Sequence, residues 1–271
     1  MNERLNDYKE YLIARNKSMI YYNCIKLFLI HCENKKINYL EINQQTITDF
    51  FNENNYSAGS KNNHILAGRN FYSFLEIERD NNEWFKIKLL KTEKKEPDYL
   101  TLEDIERAIK MIATENKRLN VNKIEIVLLV MFYLGLRKGE LLLAKREDFD
   151  LVNCMVKIHH RKTKEESILP IPNKLMKKLV NYFNSEVEET NAFNITLAEV
   201  NYLFCKVLSH YLGKKVHPHL ARSGCATYLA EKGIQTNVIQ KILNHKSILT
   251  TMKYTEPKQK DIERLYREKI K

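Results

Sequence analysis

The sequence predicts a mainly α-helical protein with a small antiparallel β-hairpin or sheet, in which an N-terminal helical bundle precedes a larger second domain. Apolar residues recur at helical spacing along most of the chain. The one clear β signal is the alternation of apolar and polar residues from Met155 to His159. A short charged stretch interrupts the helical pattern before residue 100, and 271 residues are enough for two domains with separate cores.

Residues 1–90 are predicted to form the helical bundle. We expect four short helices, with Ser18 and Ser60 as N-caps whose hydroxyl groups accept backbone hydrogen bonds. The apolar positions that indicate the first helices are Tyr8, Leu12, Ile20, Cys24, Leu27 and Phe28. On this pattern alone, the bundle is equally compatible with a simple packing or oligomerisation module.

Residues 91–99, KTEKKEPDY, have the charged, proline-containing composition of a linker. The second domain is predicted to cover residues 100–256, and its first helix begins with a capping box formed by Thr101 and Asp104. The last segment, residues 257–271, has a short amphipathic pattern. Because it is too short to be stable alone, we expect it to dock on other protein surface.

The second domain is predicted to be built on a buried helix. The run IEIVLLVMFYLGL, residues 124–136, is apolar nearly all round and, at 13 residues, is too short to span a bilayer. Its glycine is expected to end the helix, so that Arg137 emerges beside it. A β-hairpin follows, with strands at 155–159 and 167–171 and Lys162 in the connection. On spacing alone, either cation is also compatible with an ordinary surface charge.

The charge balance indicates a polyanionic partner. The formal net charge is +11 and the sequence pI is about 9.2. Residues 1–96 contain 15 Lys and Arg against 13 Asp and Glu, whereas residues 97–271 contain 30 against 21. The positive excess therefore lies in the second domain, which favours nucleic acid as the partner. A generally basic composition rich in Lys, Asn and Ile is the alternative explanation.

The five cysteines argue against both a disulfide framework and a zinc site. They are odd in number and contain no C-x-x-C pair: Cys24, Cys32, Cys154, Cys205 and Cys225. No apolar run reaches the roughly 18 residues of a membrane span, and the charged N-terminus lacks a signal-peptide pattern. We therefore expect a soluble cytoplasmic protein with no membrane association.

Residues 217–254 contain the side chains best suited to chemistry. A proline and a glycine mark the two ends of a helix whose first turn carries His219 and Arg222 on one face. Unpaired backbone N–H groups at such a helix start favour an anion such as phosphate. A second helix is followed by His245, and a third short helix carries Tyr254. The segment therefore predicts a cluster of His, Arg and Tyr around an anion.

Four segments together resemble the tyrosine recombinase, or phage integrase, family. They read GLRKGELLLAKREDFD, HRKTKEESILPIP, HPHLARSGCATYLAEKG and LNHKSILTTMKYTEP, in that order. The third contains the family's H-x-x-R. Tyr254 follows His245 by nine residues, and Lys162 stands eight residues before Pro170, at the spacings of the family's nucleophile and hairpin lysine. The resemblance extends over about residues 97–256.

The resemblance implies a Xer-like, site-specific DNA recombinase with a tyrosine nucleophile. The catalytic residues that it implies are Arg137, Lys162, His219, Arg222, His245 and Tyr254, with Glu140 in support. In the implied reaction, Tyr254 attacks a DNA phosphodiester to give a 3′-phosphotyrosyl bond and a free 5′ hydroxyl, and a second 5′ hydroxyl reverses the step. Because the bond energy is conserved covalently, no cofactor, ATP or metal ion is expected.

Each residue type also suits its implied role chemically. Guanidinium groups match the non-bridging oxygens of a phosphate bidentately and stabilise the charge that develops there. Histidine can accept the tyrosine proton or donate to the phosphate. A free tyrosine, with a pKa near 10, needs such neighbours to react at neutral pH. The resemblance gives Lys162 the task of protonating the departing 5′ oxygen.

The resemblance further implies double-stranded DNA with a specific recombination site as partner. It implies a homotetramer on DNA, which is compatible with a monomer when the protein is free. Residues 1–90 match the family's core-binding domain in size, position and helicity, and residues 257–271 are expected to dock on a neighbouring protomer. Integration or excision of a mobile element and Xer-type multimer resolution both remain compatible with the sequence.

Two other functions are weighed against a recombinase. A type IB topoisomerase shares the phosphotyrosyl chemistry but relaxes supercoils without joining two sites, and a silent integrase-derived protein only binds DNA. Two departures from the family pattern are Asn244, where glycine is common, and Ser223, where histidine is frequent. Three further histidines lack the pattern of a metal site, and we interpret them as exposed or DNA-facing: His159, His160 and His217.

Overall fold

The computed structural model describes residues 2–92, 97–115, 119–160, 165–185 and 190–255, together with 263, 266, 267 and 270. The chain divides into two compact units, Met1–Lys95 and Glu96–Lys271. Both units are mainly helical, and the second contains a small antiparallel sheet, so the predicted fold class is confirmed. Within the described ranges, no helix combines the length and apolar character needed to cross a membrane.

The first unit is a helical bundle around an aromatic core. Its helices are α1 (Asn2–Ala14), α2 (Met19–Asn34), α3 (Gln44–Asn54), α4 (Ala58–Phe74) and α5 (Glu83–Lys86), with a 3₁₀ turn at Arg79–Asn81. The largest fully buried side chains include Tyr8, Phe28, Phe50, Phe71, Tyr72 and Trp84. Gly68 allows α4 to approach α5 closely, because a Cβ at position 68 would lie 2.2 Å from the Trp84 ring.

Side-chain caps start four helices of this unit, and the cap of α5 is Asn82. Ser18 caps α2, and Asn43 caps α3. The N-cap of α4 is Ser57, whose Oγ accepts from the backbone N–H of Ser60 at 3.3 Å. The prediction of Ser60 as the cap is therefore wrong. Ser57 has the extended backbone of an N-cap, whereas Ser60 already lies in the first turn of the helix.

The second unit combines short helices with three strands. Its elements are α6 (Leu102–Glu115), α7 (Val121–Tyr133), α8 (Lys138–Leu143), a 3₁₀ turn (Arg146–Asp148), β1 (Phe149–Asp150), β2 (Met155–His159), β3 (Glu166–Pro170), α9 (Asn173–Ser185), α10 (Leu197–Tyr202), a π-helical stretch (Leu203–Leu208), α11 (Ser209–Leu212), α12 (His219–Glu231), α13 (Thr236–Ile242) and α14 (Ile248–Thr255). Thr101 and Asp104 form the predicted capping box before α6, with Oγ1 of Thr101 accepting from the Asp104 N–H at 3.0 Å.

Helix α7 is the buried helix that the sequence predicts. Residues 126–132 are all buried. The helix ends before Gly135, whose φ of 60° lies in the left-handed region that favours glycine. A Cβ there would also lie 2.2 Å from the Leu243 side chain. This close approach brings the chain out of the core directly before Arg137.

The sheet has the order β1-β2-β3, with both pairs antiparallel. Val156 pairs with Phe149 on one side and with Leu169 on the other. Val156 and Ile158 are buried, whereas Lys157 between them is exposed, as the alternation predicts. Strand β1 extends the predicted hairpin to three strands.

Helices α12, α13 and α14 pack around a small apolar cluster of Cys225, Ala226, Ile239 and Leu243. This cluster lies beside the last turn of α14 and the end of α7. Beyond α14, only residues 263, 266, 267 and 270 of the predicted tail belong to the described part of the chain. Docking of residues 257–271 on a neighbouring protomer therefore stays a prediction.

Candidate active site

Arg137 lies at the N-cap of α8, where Glu140 holds both its backbone and its side chain. The Arg137 backbone N–H donates to Glu140 Oε2 at 2.8 Å, and Nη1 donates to Oε1 at 2.7 Å. Nη2 donates to the main-chain oxygen of Asn244 at 3.0 Å. The side chain still keeps 41% of its surface exposed. Arg137 is therefore held by three hydrogen bonds while its side chain stays partly exposed.

Glu140 is a buried carboxylate at the centre of the site, with 5% of its side chain exposed. Burial by itself raises its pKa, but hydrogen bonds from the Arg137 backbone, His160 and the Arg137 side chain outweigh this effect and leave the pKa below its usual value. Arg222 Nη1 lies 3.7 Å from Oε2. Glu140 therefore supplies a negative charge between two guanidinium groups.

Arg222, in the first turn of α12, is 3% exposed. Its Nη1 donates to the main-chain oxygen of Gly135 at 2.6 Å, and its Nη2 donates to that of Leu243. Nε has no hydrogen-bond partner in the described part of the chain. Burial and the charge of Arg137 lower the pKa of Arg222 to about 10, an effect that Glu140 opposes. The group therefore stays charged at neutral pH.

His219 is the first residue of α12, and its side chain is exposed. The ring stacks with that of His217, with centroids 6.5 Å apart. Desolvation by the surrounding protein, followed by the positive charges of Arg222 and Arg137, lowers the pKa of His219. An exposed imidazole that is neutral at pH 7 and can accept a proton therefore lies within reach of the charges of both arginines.

His245 is buried directly after α13. Its backbone N–H donates to the main-chain oxygen of Gln240 at 3.0 Å, and Gln240 Nε2 donates to the His245 oxygen at 3.0 Å. Nδ1 lies 2.8 Å from the hydroxyl of the fully buried Thr251. Burial and the charges of Arg222 and Arg137 lower the pKa of His245 to about 4. The ring is therefore neutral at pH 7, with Nε2 as the nitrogen left for a ligand.

Tyr254 lies in the last turn of α14 and is half-buried. It packs against the apolar cluster that contains Cys225 and Leu243. Its phenol is close enough to Arg222 for a negative charge on it to raise the pKa of that arginine. No hydrogen bond of the Tyr254 hydroxyl is formed with any other described residue. The candidate nucleophile therefore lies on the helix that follows His245, near the arginine pair.

The predicted residues thus divide into two groups. The structure brings together Arg137, Glu140, His219, Arg222, His245 and Tyr254 around the C-terminal end of α13. Lys162 falls in segment 161–164, which lies outside the described residues. Its role therefore stays a prediction.

The interpretation of three further histidines as exposed or DNA-facing is wrong for His160, whereas His159 is partly exposed and paired with carboxylates. His160 is buried, and its ring nitrogens lie 2.9 Å from Glu140 Oε1 and 2.8 Å from Ser167 Oγ. His159 pairs with Asp148 at 2.8 Å and with Glu166 at 3.1 Å. The sequence contained a signal for His160, because it continues the buried positions 156 and 158 with the two-residue period of a strand.

The two departures from the family pattern have different structural settings. Asn244 has a φ of 45°, in the left-handed region where glycine is favoured and asparagine is tolerated better than other residues. The asparagine therefore preserves the turn that glycine would make. Ser223 is buried in α12 beside Arg222, and its main-chain oxygen accepts a hydrogen bond from Thr227 at 3.2 Å.

Acidic, His and Cys side chains do not form a metal-binding group of three or more anywhere in the described ranges. All five cysteines are free thiols. Cys225 lies near Arg222, and burial raises the pKa of its thiol to about 12. It therefore stays a protonated, inert part of the apolar cluster.

Comparisons with known proteins identify the family of this chain. The model of the phage integrase family matches residues 98–261. A tyrosine recombinase of Pseudothermotoga lettingae is 25% identical, over 94% of this chain and 93% of its own. Tyrosine recombinase XerA of Thermococcus kodakarensis is 26% identical, over 94% of this chain and 91% of its own. The structure of XerH recombinase bound to its difH substrate superposes with a TM-score of 0.68 at 20% identity, covering 95% of this chain and 81% of that one.

The family match covers most of the unit that contains the arginines, the histidines and Tyr254, and the two relatives align with nearly the whole chain. The superposition on XerH shows that the fold is similar as well. This chain belongs to the phage integrase family, and it is a DNA recombinase of the tyrosine recombinase type.

Proposed function

We propose that this enzyme is a site-specific recombinase that cuts and rejoins double-stranded DNA through a 3′-phosphotyrosyl bond to Tyr254. The observation that carries this proposal is the convergence of Arg137 and Arg222 on Glu140 and on the end of α13. Two guanidinium groups and one carboxylate leave a net positive charge. A phosphodiester is the DNA group that such a charge recognises.

Arg137 is the first phosphate ligand in this scheme because its side chain is partly exposed. Arg222 donates through Nη1 and Nη2 to two main-chain oxygens, which leaves its Nε without a partner among the described residues and available to a phosphate oxygen. The charge on both groups stabilises the transition state, in which the non-bridging oxygens become more negative. Glu140 contacts both cations and holds them together. Its single negative charge neutralises only one of the two positive charges.

In the proposed cleavage step, the Tyr254 oxygen forms a bond to phosphorus while the bond from phosphorus to the 5′ oxygen breaks. The phenolic proton passes to His219, which is neutral and exposed at the site. His245 donates a hydrogen bond to the phosphate from Nε2 in the tautomer that has its proton there. Lys162 supplies the proton to the departing 5′ oxygen. In the reverse step, a second 5′ hydroxyl attacks the phosphorus and its proton returns to Lys162. The bond from phosphorus to Tyr254 breaks, and His219 returns the phenolic proton.

The assembly that we propose is a homotetramer on two DNA sites. Recombination between two duplexes cuts four strands, and each protomer has one nucleophile. Residues 1–90 form its second DNA-binding region, and the 257–271 segment docks on a neighbour. DNA as substrate and five free thiols suit a cytoplasmic enzyme. The likeness to tyrosine recombinase XerA favours a Xer-type role, while integration or excision of a mobile element is the alternative.

A nicked suicide duplex tests the chemistry. Cleavage opposite the nick releases a short strand, so that religation fails and the covalent protein–DNA adduct accumulates. We expect an adduct with the unmodified protein and none with Tyr254→Phe, which keeps the ring and therefore the packing on α12 and α13. Tyr133→Phe, on α7, is the matched control and should retain the adduct. An adduct with Tyr254→Phe would exclude this residue as the nucleophile.

The same protein preparation separates recombination from the two alternatives. A recombinase joins strands of two separate duplexes that contain its site, whereas a topoisomerase relaxes supercoiled plasmid of any sequence without exchanging partners. A silent DNA-binding protein retards DNA but forms no adduct. Sequencing the genomic DNA that copurifies covalently with the protein identifies the recombination site. Duplexes with this site are then used in the strand-joining assay.

A further inference from the structure

His160 connects the arginine cluster to the β-sheet. It follows β2 and lies on the buried side of the sheet, with Nδ1 at 2.9 Å from Glu140 Oε1 and Nε2 at 2.8 Å from Ser167 Oγ on β3. Its backbone N–H donates to the main-chain oxygen of Glu165 at 3.0 Å, which continues the pairing of the two strands. The ring therefore has a partner at each nitrogen, and the backbone of the residue is fixed by the strand pairing.

The hydrogen bonds define which ring nitrogen has the proton. Glu140 Oε1 already accepts from Arg137 Nη1, and the carboxylate has no proton of its own to donate. Nδ1 of His160 must therefore be the donor to Glu140. In the neutral ring, Nε2 then accepts from the Ser167 hydroxyl. A continuous chain of hydrogen bonds therefore runs from Ser167 through His160 to Glu140, which also accepts from Arg137.

We propose that His160 is a positioning residue for strand cleavage, which orients the Glu140 carboxylate so that Arg137 and Arg222 are both held for the phosphate. This role rests on the function proposed above. Glu140 Oε1 has two partners, Arg137 and His160, and Oε2 faces the Arg137 backbone and Arg222. Without His160, the carboxylate loses the one partner that approaches it from the sheet, and only bonds to the two arginine residues would then hold it.

The proposed role differs from simple packing, because it acts through a hydrogen bond that a smaller amide can reproduce. In His160→Asn, the side-chain amide nitrogen occupies the position of Nδ1 and can still donate to Glu140. His160→Leu fills similar volume and donates nothing. Ser167→Ala removes only the hydroxyl on β3 and leaves the bond from Nδ1 to Glu140 available. Ser167 is only partly buried, so this variant is expected to fold.

The experiment measures two quantities for each variant: the single-turnover rate of adduct formation on the suicide duplex with saturating protein, and the Kd for the same DNA. We expect His160→Leu to slow adduct formation about 10- to 100-fold, because misplacing a charged group by a fraction of an ångström reduces the rate by factors of this size. The Kd should change less than about twofold, since phosphate contacts elsewhere dominate binding. His160→Asn should recover most of the rate, and Ser167→Ala should show a smaller loss.

A double-mutant cycle with Glu140→Gln tests whether His160 acts through Glu140. The rate loss of His160→Leu should largely disappear in the Glu140→Gln background. An equal loss in both backgrounds, a wild-type rate in His160→Leu, or no recovery in His160→Asn would each overturn the positioning role while leaving the proposed function intact. If the unmodified protein itself forms no adduct, the proposed function fails, and the positioning role fails with it.

Discussion

The guanidinium groups of Arg137 and Arg222 donate hydrogen bonds to consecutive main-chain carbonyl groups, those of Asn244 and Leu243. Arg137 comes from the start of α8 and Arg222 from the first turn of α12. The last carbonyl groups of a helix have no partner within it, so the end of α13 offers acceptors to both cations. The same turn leads directly into His245. Its conformation therefore determines the relative positions of two cations and one histidine.

The left-handed conformation of Asn244 provides the first prediction. Asn244→Gly should keep both the stability and the cleavage rate, because glycine adopts a φ of 45° without strain. Asn244→Val should lower the free energy of unfolding by about 1–2 kcal/mol, the cost of placing a residue with Cβ in this region. Its cleavage rate should also fall, since the carbonyl groups that hold both arginines would shift.

Urea unfolding and the suicide-duplex assay measure these two effects. The glycine variant serves as the control for loss of the asparagine side chain itself. Equal stability of the valine and glycine variants would contradict the importance of the left-handed turn.

This turn also marks the limit of what the sequence could predict. The H-x-x-R pattern, the buried α7 and the strand from Met155 to His159 were all recognisable, because side-chain type and period determine them. The acceptors of the two arginines were not recognisable, because they are main-chain oxygens that every residue type possesses. Strand β1 escaped prediction for a related reason, since two residues, Phe149 and Asp150, are too few to show an alternation.

The histidines show a second limit on what could be predicted from the sequence. Sequence spacing predicted that His219 and His245 would lie near the arginines, but the exposure of His160 was wrongly predicted. Its buried position follows from continuing the strand pattern by one residue beyond His159. Its partner Glu140 is 20 residues away in the sequence, and only the packing of α8 on β2 brings the two together.

The pKa of His245 predicts how stability depends on pH. This pKa is about 4 in the folded protein and near 6.5 in the unfolded chain, so the unfolded state binds more protons between these values. Stability should therefore decrease as the pH falls from about 6.5 towards 4. At pH 5, the loss attributable to His245 should be roughly 2 kcal/mol relative to pH 7.

Urea unfolding between pH 5 and 7.5 tests this dependence in the unmodified protein and in His245→Asn. The variant has no group that titrates in this range at position 245, so its stability should depend less steeply on pH. His219→Asn separates the contribution of the neighbouring site histidine, whose pKa is also lowered, and the contribution of His64, in the first unit, is common to all three proteins. Parallel pH profiles for the unmodified protein and His245→Asn would contradict the burial of a neutral imidazole.

Thr251 is predicted to control the orientation of the His245 ring. Its fully buried hydroxyl lies 2.8 Å from His245 Nδ1 and is the partner that determines which nitrogen faces the phosphate. Thr251→Val keeps the shape but removes the partner, so the cleavage rate should fall about 10-fold, equivalent to roughly 1.4 kcal/mol, within the range for an unpaired buried polar group. Thr251→Ser should retain most of the rate, and Thr250→Val, at the exposed neighbouring position, is the matched control. If Thr251→Val cleaves the suicide duplex as fast as Thr250→Val does, the orientation of His245 depends on its backbone bonds to Gln240 instead.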